Sequence, residues 1–141
     1  MGKINVGRLV LGGIVAGIVG DILGYIVDGV LLAPKWDAGM KALGQTTFSG
    51  NQIIWYNVLG LVVGLASIWV YAAIRPRFGA GVKTAIYAGV AVWILEALVP
   101  NASFMCVSGL FSCHLTLYTT LGGLVEIVVG TIAGAALYTE A

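Results

Sequence analysis

Charge is what this chain has least of. Lysine, arginine, aspartate and glutamate together make up 9% of its 141 residues, against 60% hydrophobic, and the mean hydropathy is +1.01. A water-soluble domain needs roughly a quarter of its residues charged to cover its surface, so that class is excluded. The seven Lys and Arg, at a net charge of +1, form no patch of the kind a phosphate backbone requires, which excludes nucleic-acid binding. Histidine occurs once, as His114, so this chain alone cannot supply two axial ligands to a haem. Its two cysteines, Cys106 and Cys113, lack the close C-x-x-C spacing of a thiol redox relay, and there is no second pair to pass electrons to. Walker, G-x-S-x-G and H-E-x-x-H motifs are missing too. No pattern points to enzyme chemistry, and no cofactor is predicted.

Apolar sequence in long runs is what remains. The first, Arg8 to Leu32, has twenty-five residues, a helix of roughly 37 Å that crosses a hydrocarbon core of about 30 Å with some tilt. It is too long for a signal-peptide apolar region of roughly 7–15 residues and carries two aspartates, so it reads as a retained helix. Three more runs follow, and the predicted spans are 8–32, 53–74, 83–99 and 115–138, with Pro100 as the stop of the third. Pro76, with Gly79 and Gly81, is read as a tight turn after the second.

Lys3, Arg8, Arg75, Arg77 and Lys83 fall on one side of such a topology, and only Lys35 and Lys41 on the other. The positive-inside rule then places both termini in the cytoplasm. The first outer connection, 33–52, opens with Pro34, places Trp36, Met40 and Leu43 on one face and reaches Gly44. It predicts a short helix at the interface, with Trp36 at headgroup level. The fold class expected is an all-α membrane protein: one domain, 1–141, a four-transmembrane-helix bundle with a short interfacial helix in the first outer loop.

Helical projection of the first span sets Gly13, Gly17, Gly20, Asp21, Gly24 and Asp28 within an arc of roughly 100°, opposite Leu11, Val15, Ile18, Ile22 and Ile26. In the fourth span Gly122, Gly123, Glu126, Gly130, Ala133 and Gly134 share an arc of roughly 120°. Small faces let backbones approach closely, so the first and fourth spans are expected to pack through Gly13, Gly17, Gly20, Gly24, Gly130 and Gly134. Gly60, Gly64, Ser67 and Tyr71 make a further small-residue seam in the second span, and Tyr56 and Asn57 can turn polar groups inward at its outer end.

Counted from the cytoplasmic anchors, Asp21, Glu96 and Glu126 all reach a depth of about 20 Å. No Lys or Arg lies at that depth. Acids gathered without a cation cannot all carry charge, so at least one should hold a proton. Three roles stay open: protonated carboxyls bonding helix to helix, acids that hold or relay protons or cations with Asp28 as an outer step, or acids that meet a basic group or cofactor of a partner subunit. Cys106 and Cys113 are expected to pair and tie down the last outer loop. His114 can join Asp28 and Glu96 as a metal site, since imidazole and carboxylate suit zinc or iron.

The stretches YAAIRPRFGAGVKTA, GRLVLGGIVAG and LLAPKWDAGMKALG give the chain a resemblance to a group of small four-span bacterial integral membrane proteins. The resemblance implies a four-helix membrane topology, with the inner (plasma) membrane of a bacterium as the expected location, and transfers no catalytic residue. The functional expectation is a protein handling protons or cations through buried carboxylates; the alternative is a non-catalytic accessory or assembly subunit of a larger membrane complex. Partners are the lipid bilayer and either further copies of the chain or other subunits.

Overall fold

A computed structural model describes residues 3–46 and 48–141. Four helices are long and apolar enough to cross a membrane: Val6–Leu31, Gly50–Phe78, Val82–Val107 and Cys113–Ala135. The first begins as α1 (Val6–Gly24) and widens into π-helical turns over Tyr25–Leu31; α2 (Ala33–Ala42) and α3 (Gly50–Phe78) follow. The third starts as α4 (Val82–Trp93), widens over Ile94–Leu98 and again over Asn101–Val107, and α5 (Cys113–Ala135) is the last. Among the described residues there is no strand.

Side-chain caps set three of the helix starts. Asn5 Oδ1 accepts from Arg8 N at 3.1 Å, and Ser112 Oγ accepts from Leu115 N at 3.2 Å. Ser49 and Gln52 form a reciprocal capping box, satisfying two otherwise orphaned donors. That box starts α3 three residues before the expected 53, and α3 runs through Pro76 to Phe78 instead of ending at 74. A proline two residues from a helix end forfeits a single hydrogen bond, and Gly79, at φ 82°, makes the reversal. Pro100 likewise does not stop the third span. The turns on either side widen, as in the bond from Val99 N to Ile94 O, and a widened turn accommodates a ring that donates no hydrogen bond.

α1 lies between α3 and α5, and its small residues divide between the two. A Cβ on Gly17 would sit 2.7 Å from the Leu61 Cα, and one on Gly13 2.8 Å from the Leu65 Cα. A Cβ on Gly64 would run into Gly17 N and Gly13 O, so here backbone meets backbone. Toward α5, a Cβ on Gly12 would lie 2.7 Å from Gly134 O and one on Gly130 2.5 Å from Ala16 O. Ile68, fully buried, fills the space where the three helices meet. Leu11, Ile18, Ile22 and Ile26, on the opposite side of α1, stay exposed. The Gly13–Asp28 arc is thus one face in projection and two interfaces in space.

Both termini and the α3–α4 turn share one end of the molecule. Ala141 N donates to Lys3 O at 3.3 Å, Asn5 N to the Tyr138 hydroxyl at 3.4 Å, and Arg75 pairs with Glu140 at 3.9 Å. Lys3, Arg8, Arg75, Arg77 and Lys83 therefore gather at one end. At the other, Cys106 and Cys113 are disulfide-bonded, with Cα atoms 5.1 Å apart. Phe111, inside the loop they close, packs edge-on against Trp36 of α2 at 5.3 Å between centroids. Replacing both cysteines with serine is expected to cost about 2 kcal/mol, by releasing the unfolded chain from its loop closure. A lowered melting temperature checks it; an unchanged one would mean the loop carries no stability.

Candidate functional site

The half of the molecule away from the termini holds a cavity of about 1120 Å³ between α1, α3, the widened turns that follow α4 and the middle of α5, roofed by α2. Its walls hold Asp21, Asp28, Asp37, Glu96 and Glu126, five of the six acidic residues in the chain. No lysine, arginine or histidine is among the lining residues. Unpaired charge of one sign in a low-dielectric surrounding is strongly unfavourable, so these acids cannot all carry charge without a positive counter-charge or a bound proton.

Glycines bring the acids there. On α1, Asp21 turns toward α3, and its carboxyl occupies the space beside Gly60 where any other residue would place a Cβ. Glu126, on α5, reaches over Gly24: a Cβ there would lie 3.3 Å from Glu126 Oε2, and one on Gly122 3.3 Å from Oε1. That Oε1 is buried and has no hydrogen-bond partner. Gly20 faces the Glu126 carbonyl, and Ala97, beside Glu96, faces Gly123, so the three acids lie within about one helical turn of a common level. Glu96 is the most exposed of them and stands at the cavity edge between α3 and α4.

Asp28 lies farther out, on the widened turn Tyr25–Leu31, and accepts a hydrogen bond from Trp36 Nε1 at 3.0 Å. Glu96 also sits on a widened turn, Ile94–Leu98. Widened turns rotate the residues beyond them relative to a regular helix and recur at functional sites. Asp28 still lines the same cavity as Asp21, the residue that the helical projection sets on its face.

The cavity gathers Asp21, Asp28, Glu96 and Glu126, but no hydrogen bond among the described residues joins one of these acids to another. His114 is exposed on the first turn of α5, away from the cavity lining. Among the described residues no three His, Cys, Asp or Glu side chains converge to hold a metal ion, so the grouping of His114 with Asp28 and Glu96 does not form. Tyr56 and Asn57 do line the cavity. Asp37 and Phe48 join it without any signal in the sequence, because the fold of α2 across the opening is set by the turn at Leu32, whose side chain is buried. Trp36 works here as the donor to Asp28; its pattern on α2 suggested only a headgroup anchor.

No protein-family model, curated protein or solved structure matches the chain. Its four long apolar helices define a multi-pass, membrane-type helical protein.

Proposed function

We propose that this is a four-helix transmembrane bundle that takes up protons or other cations into an acid-lined cavity open at one end. The observation that carries the reading is the gathering of five of the six acidic residues around one cavity with no cationic side chain in its lining. α2 then lies at the interface and roofs the opening. The clustering of five basic residues at the opposite end supports termini in the cytoplasm and an outward-facing cavity, by the positive-inside rule. Membership among the small four-span proteins of bacterial inner membranes fits the same topology.

Reconstitution in liposomes tests it. Proton or alkali-cation flux is expected, and Asp21→Asn and Glu126→Gln are each expected to lower it about tenfold or more, since each removes a buried carboxylate from the cavity. Flux indifferent to both substitutions would sink the proposal. One observation favours a second reading, that of an accessory subunit: every residue from 51 to 59, at the start of α3, is exposed. A stable complex with a different polypeptide in native mass spectrometry would favour that reading.

A further inference from the structure

The walls of the cavity offer more than a small ion uses. A tightly held metal cation needs several oxygen ligands converging at about 2.0–2.6 Å, and among the described residues no three His, Cys, Asp or Glu side chains converge. The acids are instead spread around a volume of about 1120 Å³, whereas a water-sized species occupies only about 30 Å³. Beside the acids the lining is mostly apolar, with Ile53, Leu59 and Val63 from α3 and Ile127 from α5, and with Asn57, Ser67 and Thr131 among its polar groups. Apolar walls of this extent recognise an organic body, which makes contacts that a hydrated ion cannot.

Aromatic rings complete the rim. Trp36 and Phe48 meet edge-to-face at 5.8 Å between centroids, Phe48 and Tyr56 at 5.7 Å, and all three line the cavity, as does Tyr25. Ring faces attract a substituted ammonium, whose alkyl groups have already displaced much of its water. Indole and carboxylate act at one place, since Trp36 holds Asp28. The neighbouring cation, Lys35, is drawn off over the Tyr118 ring at 5.5 Å and does not line the cavity. At the cavity mouth, Tyr25, Ile53 and Tyr56 are 70%, 52% and 59% exposed.

Resting on the cation-accepting reading above, we propose that the ligand is an amphiphilic organic cation: a substituted ammonium with an alkyl or aryl body. The carboxylates choose its sign, the aliphatic walls its carbon skeleton and the aromatic rim its ammonium. Either a free amine or the headgroup of an aminolipid carries that chemistry.

Isothermal titration of the full chain in uncharged dodecyl maltoside tests this, with hexyltrimethylammonium as the probe and hexyl sulfate as its anionic counterpart. Saturable binding of the ammonium alone is expected, weakened about tenfold by Glu126→Gln and about fivefold by Tyr56→Leu. Tyr56 is exposed, so its replacement leaves the fold intact; an unchanged melting curve verifies that. Absence of saturable binding, equal binding of hexyl sulfate, or sensitivity to Glu126→Gln without sensitivity to Tyr56→Leu overturns the organic ligand. If alkylammonium fails to bind while proton or potassium flux still depends on Glu126, this inference alone falls. If flux and binding are both indifferent to Glu126→Gln, the cation reading falls with it. Adding phosphatidylethanolamine to the micelles separates the sources: competition assigns the site to an aminolipid, and undiminished affinity assigns it to a free amine.

Discussion

Gly64→Ala is expected to destabilise the protein by about 3 kcal/mol, the upper end of overpacking costs, whereas Gly20→Ala is expected to leave stability unchanged or slightly raised. At position 64 the added methyl falls on Gly17 N and Gly13 O. Those are backbone atoms of a helix and cannot rotate aside, so α1 and α3 must separate along Gly13, Gly17, Leu61 and Leu65. Between lipid-embedded helices nothing replaces that close contact, because hydrocarbon solvates the parted faces and only packing attraction holds them together. At position 20 the nearest atom to a new Cβ is Glu126 O at 3.8 Å, an ordinary contact. Unfolding by dodecyl sulfate titration in mixed micelles, followed by circular dichroism, reads both. Equal loss at the two positions would contradict the seam described here.

Gly60→Ala, one turn away on the same helix, is expected to strike function instead of stability. Its methyl falls on Asp21 Oδ1, with the carboxyl carbon 2.8 Å away. A carboxylate is the free end of a side chain and can swing clear, so the fold should hold to within about 1 kcal/mol. The displaced Asp21 no longer stands at its place in the cavity, and flux is expected to fall about tenfold, as with Asp21→Asn. The double variant Gly60→Ala, Asp21→Asn should then be scarcely worse than either alone, because both changes act on one group. Fully additive losses would show that Gly60 matters for some other reason.

The acids themselves are legible in the sequence. Counting residues from Arg8, Lys83 and Glu140 puts Asp21, Glu96 and Glu126 at one depth, and the packing at Gly20–Glu126 and Ala97–Gly123 places them within about a turn of one another. Direction was harder. Helical projection sets Asp28 on one face with Asp21, and both line the cavity, but no local sequence rule announces the widened turns on which Asp28 and Glu96 sit. Pro76 and Pro100 misled for a related reason: a missing donor ends a helix only where neighbouring turns cannot adjust.

The sequence by itself determined the four long apolar helices, the small-residue faces, the cysteine pair and the sidedness of charge. Each of those depends on composition and on periodicity within a single segment. Only the tertiary structure decided that one glycine arc serves two neighbours, that α2 folds over the opening so that Asp37 and Trp36 join the site, and that His114 stays outside it. Those outcomes depend on which segments touch when they lie far apart along the chain, as Gly17 does with Leu61 and Gly12 with Gly134, where contact is set by the fit of whole surfaces and no longer by the pattern along one helix.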